Sequence, residues 1–455
     1  MNLAVTHQMR GRSSVWLPLV AYFHRMQTMH DRQKFELQAL TNGIQLYTHR
    51  SPSPICHLEI ILPVGAGHAH KANNILPGAP HFLEHAQLIR SSRYSNPYEL
   101  DRLIGMRGGH SNGTTYPTST HYELDAPASH LDFAIEALLE RTYSPIFDEA
   151  DLKPERTVVM NERNARKFYP GRSLVSKFYH TEFMADAEYP LVQLFGSDEN
   201  LNAMSPQILA DMQSRISLNR DVRFLAVGPS DFSEFAEQLS HIQTVDEQFK
   251  LKVNGVHWAD PQFRYCYFDT VSQPTLEVAW IHPRLDYAEF RAASFLLSLL
   301  INSTHGALHT ELREQKGWTY GLDGYCQQRP SNTLIGISFP VNTKEQIEYI
   351  RECLLERIVT ASENQDLVEA EIGRYVHSQV YNFQTAGEIM GGATYDLDTY
   401  GCIHSEKEWS AAVHAVADKA WRRSIVGKLF GPENQGSICL MPERRHKVLM
   451  RELQT

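Results

Sequence analysis

The run Pro80-His81-Phe82-Leu83-Glu84-His85 joins residue types and a spacing that suit the chemistry of a bound metal. On a helix, residues four apart leave the same face about one turn apart, so the imidazoles of His81 and His85 point together. Glu84, three residues after His81, shares that face and is close enough to serve a water held on an ion there. Pro80 is a favourable first helical residue, and Phe82, Leu83, Ala86 and Ile89 give the helix an apolar side to bury. Two neutral nitrogens and one carboxylate base make half of a zinc hydrolase site, with a third ligand still required.

The alternative for these residues is an exposed, charged helix face, and in a chain with 22 histidines the motif needs support from elsewhere. The segment Pro154 to Glu162 supplies it. Glu155 and Glu162 are seven apart and so nearly in line on one helix face, while Val158 and Val159 belong to an apolar side. A catalytic zinc takes three protein ligands and an open position, and a carboxylate commonly completes two histidines. Glu162 is the candidate third ligand. Glu155, two turns earlier, suits a carboxylate that orients a ligand histidine from behind.

The order H-x-x-E-H, then 76 intervening residues, then a glutamate resembles the inverted-motif zinc peptidases of the pitrilysin family. The resemblance extends over roughly residues 36 to 440 and is strongest at 77–165 and 295–325. It implies one zinc per chain on His81, His85 and Glu162, with Glu84 as general base. Gly108-Gly109, Asn112-Gly113-Thr114-Thr115 and Thr120-His121-Tyr122 are similar to the family's G-G-x-x-N-A-x-T-x-x-x-x-T-x-Y stretch, an edge strand that in relatives pairs with the substrate backbone. Gly113 stands where the family usually has alanine, and Gln87 to Arg93 replaces the usual Lys-Gly-Thr continuation. Leu312 to Tyr320 is similar to the family's L-R-E-x-x-G-x-x-Y element. There Arg313 and Tyr320 would help bind substrate and steady the oxyanion, since a fixed cation and a phenol donor can both face developing negative charge.

The bulk properties fit such an enzyme. A chain of 455 residues exceeds what one compact core holds and implies two or more domains. Hydrophobic content of 42% and charged content of 21% are ordinary for a globular protein. No apolar run reaches the ~18 residues of a membrane span. A formal charge of −10 argues against a general nucleic-acid binder. Six cysteines (Cys56, Cys266, Cys326, Cys353, Cys402 and Cys439) are far apart with no C-x-x-C pair, which predicts reduced thiols in a cytoplasmic protein. The first thirty residues hold Arg10, Arg12 and Arg25 and no acid. They predict an extension without fixed structure, or an over-extended start, with a targeting segment as the alternative.

Apolar patterning divides the body into halves that read alike. In the first, strands at Gly43–His49 and His57–Val64 precede the Pro80 helix. A strand at Tyr122–Asp125 follows, then helices at 130–142, 155–167, 173–183 and 206–216, a strand at 222–227 and a helix at 232–242. In the second, a strand at Thr275–Ile281 leads to a helix at Ala288–Ile301. A helix at Leu308–Gln315 then takes the place of the H-x-x-E-H helix, before a hairpin at 318–339 and helices at 344–360 and 367–383. The expected fold is α+β, two tandem domains, each a mostly antiparallel sheet with helices packed on one face. The boundaries are 1–35 for the N-terminal extension, 36–243 for the zinc-bearing domain, 244–262 for a linker and 263–455 for a metal-free second domain. In relatives two such halves close like a clamshell, so this chain resembles one half and implies a partner subunit. A homodimer is the first choice and a heterodimer with a related subunit the alternative.

Other residues carry less. His68 and His70 form an H-x-H pair expected in solvent, His110 and His121 flank the edge strand as satisfied surface histidines, and Gly105 to Gly109 lacks a phosphate-loop pattern. The function expected is a zinc endopeptidase acting on unfolded peptides. The rivals are a protease dedicated to removing one peptide's leader and a non-catalytic subunit of a peptidase-like complex.

Overall fold

A computed structural model describes residues 35–168, 191–251, 264–267, 273–302, 305–378 and 385–442. The N-terminal extension before residue 35, the expected helix 173–183, the later part of the linker and the end of helix 367–383 lie outside the described residues.

The first half is built on a six-stranded sheet of β1 (Glu36–Ala39), β2 (Gln45–Arg50), β3 (Ile55–Leu62), β4 (His110–Thr115), β5 (Thr120–Pro127) and β6 (Arg223–Gly228). The second carries a five-stranded sheet of β7 (Arg264–Tyr267), β8 (Thr275–Pro283), β9 (Asp323–Gln328), β10 (Asn332–Pro340) and β11 (Gln435–Met441). The orders are β1-β2-β6-β3-β5-β4 and β7-β11-β8-β10-β9. Each sheet has one parallel pair, β2 with β6 and β7 with β11, and is otherwise antiparallel. Removing β1 leaves the same path twice, so the repeat seen in the sequence is a repeat of topology.

Between β3 and β4 the chain forms helices Ala79–Gln87 and Glu99–Met106. Between β8 and β9 it forms helix Tyr287–Ile301, then a short helix at Ala307–His309 that widens to π geometry over Thr310–Gln315. Leu308–Gln315 therefore takes the place of Glu99–Met106, not of the H-x-x-E-H helix. The counterpart of that helix is Tyr287–Ile301. The apolar pattern of both segments is helical, and only the order along the path distinguishes them.

Strand alternation decides which side chains reach which layer. Leu58, Ile60 and Leu62 face one way, into a core with Phe82, Leu83, Leu138, Val159 and Phe224. Ile61, Leu225 and Val227 face the other way and meet Ile389, Met390, Ala393 and Leu397. Helix Ala386–Tyr400 of the second half thus covers the face of the first sheet that its own helices leave open. Residues 244–251, at the start of the expected linker, also pack on the first half, through Arg215 with Glu247 and Thr244 with the Asn42 carbonyl.

A buried polar group pins that contact. His121 on β5 is 1% exposed, so it is not the surface histidine its sequence position suggests. Its Nδ1 lies 2.7 Å from Glu59 Oε1 and its Nε2 3.0 Å from Asp398 Oδ2. Ser119 donates to Asp398 at 2.9 Å, Thr394 donates to Glu59, and the Tyr116 ring stands edge-on to the imidazole. Burial alone would lower the His121 pKa, but Asp398 and Glu59 outweigh it and raise it to about 9. Each larger apolar side chain buried in the seam contributes about 1.5–3 kcal/mol, so adhesion comes from the seam, while the ion group, offset by desolvation, fixes alignment.

A pH dependence follows. With a folded pKa above its unfolded value near 6.5, His121 adds stability that is complete below that value and lost as pH rises through about 9. Thermal unfolding of wild type should therefore fall from pH 7 to 10 more steeply than that of Asp398→Asn, which starts lower and has less shift to lose. Equal slopes would remove His121 as the cause.

Candidate metal centre

Helix Ala79–Gln87 begins after Gly78, whose φ is 83° and whose position would put a Cβ 2.4 Å from the Gly196 backbone nitrogen. Both facts require glycine there. Pro80 occupies the first turn, and Phe82, Leu83 and Ala86 enter the core, which turns His81 and His85 to the opposite face. Their rings meet edge to face at 4.7 Å, and His81 also abuts Phe195 at 4.9 Å.

The second contributing helix is Glu149–Phe168. Leu152 and Val159 bury one side. Arg156 sets the roll by pairing with Glu149 and donating to the carbonyls of Leu201 and Met204 at 3.0 and 2.8 Å. Arg163 donates to the Gly196 carbonyl at 2.8 Å. The remaining face carries Glu155 and Glu162 towards the histidines.

There the carboxylate of Glu162 meets both imidazoles. Its Oε2 lies 3.4 Å from His81 Nε2 and 3.5 Å from His85 Nε2, and the three candidate ligand atoms fall within 4.8 Å of one another. Zinc bonds of ~2.0–2.1 Å in a tetrahedron set ligand atoms about 3.4 Å apart, so the donor set and its spacing fit zinc. Among the described residues this is the one His/Cys/Asp/Glu group with such spacing. Glu155 Oε1 lies 2.7 Å from His85 Nδ1, which leaves Nε2 as the free lone pair when the ring is neutral. Burial opposes charge on His85, yet Glu155 and Glu162 raise its pKa to about 9, so the imidazole would have to give up a proton to ligate a metal.

Glu84 is buried and reaches the edge strand. Thr115 donates to its Oε2 at 2.7 Å. A Cβ on Gly113 would lie 2.7 Å from Glu84 Oε1 and 2.8 Å from its Cγ, so glycine here gives this glutamate room against the strand. Asn112, Gly113, Thr114 and Thr115 all lie on β4, which among the described residues is the edge strand of its sheet.

Arg313 and Tyr320 are in the second half. The guanidinium stacks on the Tyr320 ring at 4.6 Å and lies 3.3 Å from His309 Nε2. Tyr320 is 86% exposed. The two meet each other, and Arg313 meets His309, all within the second half. His68 is buried and neutral, its pKa lowered to about 4 by burial, and accepts from the Gly65 N–H, while His70 accepts from the Ala72 N–H and faces the Lys250 carbonyl. This H-x-H pair serves local structure.

Sequence reasoning misses Arg156 and Tyr98. Tyr98 donates to Glu155 Oε2 at 3.1 Å from a left-handed backbone, φ 55°. No residue pattern signals either role, because both depend on contacts across elements.

Comparison with known proteins gives the family of the chain. Residues 46–192 match the insulinase (peptidase family M16) model and residues 226–378 the peptidase M16 inactive domain. Protease 3 of Escherichia coli is 27% identical over 133 residues, which span 29% of this chain but only 14% of that protein. The uncharacterized zinc protease YmxG of Bacillus subtilis is 23% identical over 331 residues, 70% of this chain and 76% of that one. A protease from Helicobacter pylori superposes with a TM-score of 0.74 at 17% identity, covering 90% of this chain and all of that one, a likeness of fold. Matched by the family's models in both halves and folded as its members are, the chain belongs to peptidase family M16, the insulinase or pitrilysin type.

Proposed function

We propose that this chain is a zinc-dependent endopeptidase that hydrolyses unfolded peptides in a chamber closed by a partner subunit. The observation that carries the reading is the meeting of His81, His85 and Glu162 beside Glu84 and the edge strand β4. When bound, zinc supplies Lewis-acid chemistry, polarising a carbonyl and acidifying water. His81 and His85 offer Nε2, and Glu162 offers Oε2. Glu84, steadied by Thr115, takes the proton of the attacking water and returns it to the leaving amine. The β4 segment Asn112–Thr115 takes an extended peptide by main-chain hydrogen bonds, which gives affinity with little side-chain preference.

In this reading residues 36–243 form the zinc-bearing domain and 263–455 the metal-free one, joined through 244–262. The match to an inactive domain falls on residues 226–378, in the half without the H-x-x-E-H set, so it fits a metal-free second domain as well as it fits a non-catalytic subunit. A cytoplasmic setting accords with the free thiols of Cys56, Cys326, Cys353, Cys402 and Cys439. Among the described residues no helix is long and apolar enough to cross a membrane.

The test is hydrolysis of a mixture of unstructured peptides. Cleavage at many sites, abolished by a chelator and restored by one equivalent of zinc, is the expected result. Cleavage of a single leader sequence only would narrow the function to maturation, and no cleavage with zinc bound would leave the scaffold reading.

A further inference from the structure

Tyr98 stands at the start of helix Glu99–Met106 with φ 55° and ψ 20°. Left-handed backbone is unfavourable for a bulky aromatic residue, and a position needing only a turn there would be better served by glycine or asparagine. Tyr98 does not cap the helix with its side chain. Its N–H bonds to the Ile89 carbonyl, just past the H-x-x-E-H helix. Its phenol reaches across to donate to Glu155 Oε2 at 3.1 Å. The other oxygen of the same carboxylate faces His85 Nδ1 at 2.7 Å.

Glu155 is 7% exposed, so its carboxylate depends on protein donors. With the phenol on one oxygen and the imidazole on the other, the carboxylate plane is fixed, and with it the direction of His85 Nε2. Phe232 begins helix Ser233–Ser240 with nearly the same backbone, φ 57° and ψ 20°, so the backbone alone does not mark a function; what sets Tyr98 apart is its phenol on the carboxylate that faces His85.

We propose that Tyr98 is a positioning residue for the metal centre, acting through Glu155 to fix the orientation and tautomer of His85. The inference rests on the reading that His81, His85 and Glu162 hold zinc.

The experiment measures zinc affinity by chelator competition and thermal unfolding of the metal-free protein, for wild type, Tyr98→Phe, Tyr98→Asn and Glu162→Gln. Removing a partner that orients a ligand typically costs 10–100-fold in affinity, and one step further out the loss should be about tenfold in both Tyr98 variants. Metal-free Tyr98→Phe should melt a little below wild type, by the one hydrogen bond it loses at Glu155, and stay fully folded where zinc binding is measured. Tyr98→Asn, better suited to the left-handed backbone, should melt no lower. Affinity and stability then move apart, which a merely structural tyrosine would not produce. Wild-type affinity in both variants, or zinc loss only in step with lowered melting, would overturn the role of Tyr98. If Glu162→Gln also binds zinc as wild type does, the site reading itself fails. If Glu162→Gln loses zinc while Tyr98→Phe keeps it, only the role of Tyr98 fails.

Discussion

Glu84→Gln should keep zinc and lose turnover of unfolded peptides by about 10²–10⁴-fold, the usual worth of a general base. Glutamine has the same shape, so the place against Gly113 is filled as before, and the Thr115 hydroxyl still donates to the amide oxygen where it now donates to Oε2. What is lost is the capacity to take a proton. The loss should appear in kcat with little change in KM, because the proposed grip on the peptide is the β4 edge and not Glu84. Fold stability should hold or rise slightly, since a buried carboxylate becomes neutral. A purified Glu84→Gln protein that cleaves at the wild-type rate would remove Glu84 from the chemistry, and one that loses zinc would make it a structural part of the site.

Arg313 and Tyr320 give the second large effect. A guanidinium stacked on a phenol that is 86% exposed is a donor pair offered outward, and among the described residues its partners are in the second half. Under the proposed closure by a partner subunit, the pair should serve the centre of that neighbour, placing both donors where negative charge develops. Since one chain carries both sets, two-fold symmetry would build two whole sites from a homodimer. Glu84→Gln protein and Arg313→Ala, Tyr320→Phe protein should each be inactive. After subunit exchange, half of the dimers are mixed and each has one whole site, so activity should return to about a quarter of wild type. Demonstrated exchange without recovery would place the pair's action within its own chain or assign the partner role to a different protein.

The alignment of His81 with His85 and of Glu155 with Glu162 was legible in the sequence because helical period alone sets each pair on one face, whereas the apolar neighbours were a poorer guide, since Val159 is buried and Val158 is exposed. The strands β3 and β8 were legible for a similar reason, as apolar runs bounded by turns. Helix Ala386–Tyr400 was not. It carries Gly391 and Gly392 in its interior, poor helix formers, and its value lies in covering a sheet far away in sequence. A local signal did exist in the capping box of Thr385 with Glu388, repeated at Ser405 with Glu408 before the next helix. The burial of His121 was out of reach because Asp398 comes from the other half, and surface and buried histidines look alike in a strand. The strain at Tyr98 leaves no trace in composition at all. The role of Gly113 has a sequence sign, the departure from alanine, whose cause appears only when Glu84 is seen against it.

Metal content tests the central reading most directly. Wild-type protein expressed with sufficient zinc, washed free of loosely held ions and analysed for metal should carry close to one zinc per chain, while Glu162→Gln and His85→Ala prepared in parallel should carry little. A site of two imidazoles and a carboxylate at tetrahedral spacing binds tightly enough to survive the washing. Less than ~0.3 zinc per chain in wild type, or equal zinc in wild type and both variants, would contradict the assignment of His81, His85 and Glu162 as the metal centre.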